Sequence, residues 1–241
     1  MELTELKHNI LSYFKGSEEE LAAVLGMIAS ETAIFPFNEY EHLLFHLMER
    51  GEVSYEQYLE IRTEYIYHNP NLWIFEISAP RGFGEQFAQT YVQAKSSKLQ
   101  RPSKQLDPDY GGQYDLWLDG IRIEVKASRA VDRDSHAPLY MKALSRQTQK
   151  RFLMNFQQLK PQYCDVFIWV AVFRDEIVLW VMNSDTVLHH PLFSKGQHRG
   201  NKGNEGQLHI THENIHLLEE YRLKDDDLEG AILQAVAVKG K

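Results

Sequence analysis

The sequence has a single cysteine, Cys164, and one thiol cannot build an internal disulfide framework. No apolar run approaches the length of a membrane-spanning helix. The opening residues, MELTELKHNI, lack the basic start and apolar centre of a secretory signal, so the chain is expected to be soluble and cytoplasmic. Aspartate is missing from residues 1 to 80, which carry 14 Glu against 4 Lys and Arg, a net charge of −10. That excess sets the overall charge of −8, because the remaining 161 residues hold 22 basic and 20 acidic groups. A polyanion is therefore not expected on the N-terminal portion, while the rest can still present a locally basic cleft.

The 241 residues are 43% hydrophobic and 25% charged, enough for one large domain or a core with a smaller appendage. Residues 1 to about 70 read as a helical subdomain. Ser17 with Glu20 forms a capping box before Leu21, Val24, Leu25 and Ile28 at helical spacing. Asn38 can cap a second helix ending near Gly51, and Ser54 with Gln57 opens a third that Asn69-Pro70 stops. The stretch LMERGEVSYEQYL permits a helix-turn-helix, but its acidic surroundings favour a structural role.

From residue 71 to 241 the pattern is mixed. A helix is expected from Gly84 to about Lys95, and another over SRQTQKRFLMNFQQLK, residues 145 to 160. The apolar run CDVFIWVAVF reads as a central strand, with EIVLWVM pairing to it across Arg174-Asp175. The resulting order of helix, two strands, helix, two strands is an α/β arrangement around a mixed sheet.

The segment YDLWLDGIRIEVKAS, residues 114 to 128, carries the chemistry. Asp119-Gly120 is a favoured type I′ turn. Counting outward from it pairs Leu118 with Ile121, Trp117 with Arg122, Leu116 with Ile123, and Asp115 with Glu124. Strand alternation then gathers Asp115, Glu124 and Lys126 on one face, and Leu116, Leu118, Ile121, Ile123 and Val125 on the other. Opposed carboxylates weaken a hairpin unless something relieves their repulsion. A hard dication such as Mg²⁺ would do so, and the Lys126 ammonium beside it can stabilise charge on a phosphate or position a water. The alternative is a solvated strand face whose charges pair with each other.

At these residues the sequence resembles the PD-(D/E)XK nuclease superfamily, the fold of type II restriction endonucleases, over about residues 82 to 183. The resemblance rests on motif and element order. It implies a restriction-endonuclease-like core, Mg²⁺ bound by Asp115 and Glu124, and a catalytic Lys126. Glu85 matches the position of a further metal-side carboxylate, although a helix N-terminus favours an acid there anyway. Gln157 and Gln158 match a polar position on the following helix. A literal motif search would choose Asp109 of Pro108-Asp109, but the register favours Asp115. The implied activity is sequence-specific cleavage of double-stranded DNA to 5′-phosphate ends by a homodimer, since two-fold DNA sites suit two-fold proteins. A repair, recombination or transposition nuclease is the alternative within the superfamily. A RecB-type exonuclease fits less well, because QTQKR lacks the Tyr those enzymes carry after their Gln.

Three basic clusters could meet DNA: Lys95, Lys98, Arg101 and Lys104; Lys142, Arg146, Lys150 and Arg151; and a glycine-rich loop over residues 194 to 207. In that loop Lys195, Gln197, His198, Arg199, Asn201, Lys202 and Asn204 offer phosphate and base-edge contacts, unless it is simply a surface loop. Arg122 is expected to stack with Trp117 along the cleft. Two rivals remain. HENIH, residues 212 to 216, fits the zinc-protease pattern with His212, Glu213 and His216, but Thr211 as N-cap puts His212 in the first turn and no third ligand is evident. The other is a DNA-binding module with merely structural carboxylates. Cys164, ahead of a strand, reads as a small buried residue.

Overall fold

The computed structural model describes residues 3–28, 39–196 and 205–238. The chain forms two compact units. The first comprises residues 1–76, 134–148 and 173–176, and the second residues 77–133, 149–172 and 177–241.

The first unit is built on α1 (Leu3–Tyr13), α2 (Glu18–Ile28), α3 (Glu39–Glu49) and α4 (Tyr55–His68). Both capping boxes form. The Ser17 N–H donates to Glu20 Oε2 at 2.7 Å while the Glu20 N–H donates to Ser17 Oγ. Ser54 and Gln57 exchange the same two bonds, and α4 stops at the expected Asn69. Asn38 lies outside the described residues. The apolar sides of these helices supply Ile10, Leu21, Leu43, Leu44, Leu47, Ile61 and Tyr65 to a buried core.

The second unit is mixed α/β with two four-stranded sheets. A π-helical turn over Gly82–Ala88 runs into α5 (Gln89–Gln93). Then come β1 (Leu116–Leu118), β2 (Ile121–Arg129), β3 (Val131–Asp132), β4 (Phe152–Leu159), β5 (Val166–Val172) and β6 (Ile177–Asn183). The chain ends with α6 (Ser184–His189), β7 (Phe193–Lys195), β8 (Gly206–Thr211) and α7 (Leu228–Val238). One sheet has the order β1-β2-β5-β6 and the other β3-β4-β8-β7. β2 and β5 run parallel, and every other pair is antiparallel. The first sheet is therefore mixed, as expected.

Every residue of β5 is buried, and β6 is buried from Val178 onward. Trp169 on β5 stacks on Phe167 and meets the edge of Phe156 from β4, each with ring centroids 5.2 Å apart. Such contacts add about 1 kcal/mol beyond area burial, and the one between Phe156 and Trp169 joins the two sheets.

The helix expected over residues 145 to 160 does not form; the segment carries strand β4 instead. Phe152, Met154 and Phe156 alternate with less buried neighbours, a period of two that β8 satisfies by pairing Met154 with Ile210 and Phe156 with Leu208. The link between parallel strands β2 and β5 thus runs through β3 and β4 where a crossover helix was expected.

Candidate functional site

The first three pairs of the hairpin form in the register counted from its turn, whereas the fourth, Asp115 opposite Glu124, is not part of the ladder. Asp119 and Gly120 have φ of +45° and +95°, the double left-handed geometry of a type I′ turn. Leu118 pairs with Ile121, Trp117 with Arg122 and Leu116 with Ile123. Leu116, Leu118, Ile123 and Val125 are buried, so the apolar underside is as read, with Ile121 half-exposed at the turn.

Beyond Leu116 the ladder changes character. The Asp115 N–H still donates to the Ile123 carbonyl at 2.9 Å, and then the chain turns away. The next donor on β2, the Val125 N–H, is met by Asp115 Oδ2 at 2.9 Å. A side-chain carboxylate thus replaces the next main-chain carbonyl. Its other oxygen accepts from Gln89 Nε2 on α5 at 2.6 Å.

Glu124 and Lys126 project from the same face of β2, and Lys126 Nζ lies 2.7 Å from Glu124 Oε1, with the side chains 19% and 15% exposed respectively. The electrostatics follow from this burial. Desolvation pushes the Glu124 carboxyl up to about 7; the Lys126 charge opposes the rise and the Asp115 charge adds to it. Asp115 is also raised by burial, against the Val125 N–H and the charges of Lys126 and Arg101, with Glu85 adding to the rise. Both acids therefore resist ionising together, which a nearby cation would reverse.

The set fits a hard dication by its chemistry: two carboxylates, one feeling the charge of the other, the usual protein share for Mg²⁺. Glu85 stands further off. It is exposed, with Oε1 3.8 Å from Arg81 Nε, and it reaches Asp115 through its charge. Among the described residues no group of three or more His, Cys, Asp or Glu is poised around one point.

Asp109 is exposed, with its N–H bonded to Asp107 Oδ1 and its carbonyl to Gln113 Nε2. The buried acid of that segment is Asp107. It accepts from Tyr114 Oη and, through both oxygens, from Arg122. Arg122 and Tyr114 hydrogen bonds hold Asp107 below the ordinary carboxylate range against its own desolvation. Arg122 is thus committed to a carboxylate, and Trp117 stacks on Tyr114 with centroids 6.1 Å apart.

The basic clusters are largely neutralised. Lys95 pairs with Asp226 at 2.7 Å and Lys98 with Glu229 at 2.6 Å. Arg146 lies 3.5 Å from Glu176, Lys150 3.2 Å from Asp132 and Arg151 3.6 Å from Glu213. Lys195 is exposed at the end of β7. Gln197, His198, Arg199, Asn201, Lys202 and Asn204 lie outside the described residues. Gln157 and Gln158 are exposed on β4 at a break in its pairing with β8, where Gln158 takes a φ of +58°.

The HENIH stretch is not an α-helix. Residues 212 to 214 form a turn before a 3₁₀ helix over Ile215–Tyr221, so the helical stacking of His212 on His216 is missing, and Glu213 faces Arg151. Thr211 closes β8, and its N–H donates to Asn214 Oδ1. Cys164 is buried, its thiol pushed up to about 12 chiefly by desolvation.

Two site residues escaped sequence reasoning. Gln89 lies four residues after Glu85, and that helical spacing was the available signal. Lys160, just past β4, lends its charge to Glu124 and has no short-range motif to announce it. Among the described residues no helix is long and apolar enough to cross a membrane. No protein-family model matches the chain, and a comparison with curated proteins returns no match.

Proposed function

We propose that this protein is a Mg²⁺-dependent endonuclease of the PD-(D/E)XK type that cleaves double-stranded DNA, acting as a homodimer in the manner of type II restriction enzymes. One observation carries the reading: Asp115 and Glu124, both half-buried, with the Asp115 charge acting on Glu124 and an ammonium 2.7 Å from Glu124. A purely structural strand face gains nothing from desolvating two acids, one of which raises the pKa of the other.

Asp115 and Glu124 would hold the ion, and what a dication brings to such a site is positive charge beside the phosphate. Asp115 is oriented for that task by the Gln89 amide and the Val125 N–H. Lys126 holds a proton-rich cation where negative charge grows on phosphorus and can orient the attacking water. Water oxygen bonds to phosphorus as the P–O3′ bond breaks. One water proton passes to solvent and the 3′ oxygen gains one, leaving 3′-hydroxyl and 5′-phosphate ends.

Plasmid DNA incubated with the protein and Mg²⁺ should give discrete fragments that vanish with EDTA and with Glu124→Ala. A smear would favour a less selective nuclease of the same chemistry. Intact plasmid under all metal conditions would reject the nuclease reading.

A further inference from the structure

The segment before the hairpin brings one more cation to the site. Gln100 bridges Trp117 on the outer edge of β1, exchanging N–H to carbonyl bonds of 3.0 and 2.9 Å. That bridge sets Arg101 next to the point where Asp115 leaves the ladder. The Arg101 guanidinium donates to Gln89 Oε1, and Gln89 Nε2 donates in turn to Asp115 Oδ1 at 2.6 Å. Gln89 is buried and Arg101 exposed. The amide can face only one way: turned over, its oxygen would meet the carboxylate and its NH₂ the guanidinium.

Arg101 differs from the cations around it. Lys95, Lys98 and Arg122 each contact a carboxylate within 3 Å. Among the described residues no carboxylate lies in ion-pair reach of Arg101, and the Gln89 amide is its one hydrogen-bond acceptor. A guanidinium carries five N–H donors in a planar fork suited to two phosphate oxygens. Most of that fork is left for a ligand from outside the protein. A neutral amide holds the head in place without quenching its charge.

We propose that Arg101 is the phosphate-gripping residue of this site, binding non-bridging oxygens of the substrate backbone, and that Gln89 is a positioning residue linking that grip to the Asp115 carboxylate. The proposal rests on the nuclease reading above and names the group that engages the nucleic-acid backbone. Its consequence is that substrate binding and the orientation of a metal-ligand carboxylate are joined by two consecutive hydrogen bonds.

The test uses the full-length protein, Mg²⁺ and a cleavable DNA duplex, with KM, kcat and the salt dependence of KM measured for wild type, Arg101→Ala, Arg101→Lys, Gln89→Leu and Lys126→Ala. Loss of one charge-assisted phosphate contact should raise KM about tenfold in Arg101→Ala and lower the salt slope by about 1. Arg101→Lys should restore the slope. Gln89→Leu should lower kcat with the slope unchanged, and Lys126→Ala should lower kcat with KM near wild type. Because Arg101 is exposed, circular dichroism should show Arg101→Ala folded. A folded Arg101→Ala with wild-type KM and salt slope, in a protein that cleaves DNA, overturns this assignment and leaves the nuclease reading standing. A wild type that cleaves no DNA overturns both.

Discussion

Lys126 Nζ lies 2.7 Å from Glu124 Oε1, and the two side chains are two positions apart on one face of β2. Without a further ligand the ammonium is the nearest counter-charge for that acid. In the proposed reaction it would be the cation available to the phosphate. Lys126→Met keeps the stem and removes the charge. We expect kcat to fall by about 10²- to 10³-fold, the usual loss for one preorganised electrostatic group, with KM little changed. Single-turnover cleavage of a labelled duplex checks it.

Glu124 gives a stability signature that needs no substrate. Its folded value of about 7 lies above the ordinary 4.5, so the native state binds the proton more tightly than the unfolded chain. Its contribution is present below pH 4.5 and is lost as pH rises through 7. Glu124→Gln mimics the protonated acid at every pH. In EDTA the variant should match wild type near pH 4.5 and exceed it by up to about 3 kcal/mol above pH 7. Millimolar Mg²⁺ at pH 8 should then raise the melting temperature of wild type and leave Glu124→Gln unmoved. Urea denaturation across pH, with and without the metal, measures both.

Asp115 and Asp109 compete for the role of first acid in any literal motif match. Asp109 is exposed and its backbone is engaged within its own loop, whereas Asp115 sits between Gln89 and Val125. Asp109→Asn should cleave DNA at the wild-type rate, and Asp115→Asn should be inactive while still folded. Glu85→Gln should fall between them, because that exposed acid acts on Asp115 only through its charge. A plasmid-nicking series ranks the three.

How far the hairpin could be read depended on how local its determinants are. Asp119 and Gly120 fix a two-residue turn, and the register follows from counting outward, so Leu116, Ile123 and the shared face of Glu124 and Lys126 were legible. Residues 145 to 160 were not. Phe152, Phe156 and Leu159 suit a helical stripe, and Phe152, Met154 and Phe156 suit a strand; the tie is broken by β8, more than 50 residues later. The neutralisation of Lys95 and Lys98 by Asp226 and Glu229 is long-range in the same way. Arg101, Gln89 and Asp115 also come from three separate segments, so no local spacing could unite them.

Asp107 should matter to the fold more than to the chemistry. It accepts from Tyr114 and from two Arg122 nitrogens, and Asp107→Ala would leave a buried hydroxyl without its acceptor. We expect a lower melting temperature for Asp107→Ala, with kcat at 20 °C closer to wild type than that of Asp115→Asn. Differential scanning calorimetry beside the cleavage assay separates the two effects.

The departure of β1 at Asp115 leaves β2 as the border of its sheet, and a bare row of N–H groups there would invite a foreign strand to dock. The Asp115 carboxylate sits on the first of those donors, so that N–H is not open to an incoming strand. Shortening it to alanine would remove that acceptor together with the proposed metal ligand. Asparagine, which retains an acceptor oxygen, should stay monodisperse in light scattering at concentrations where the alanine variant clumps.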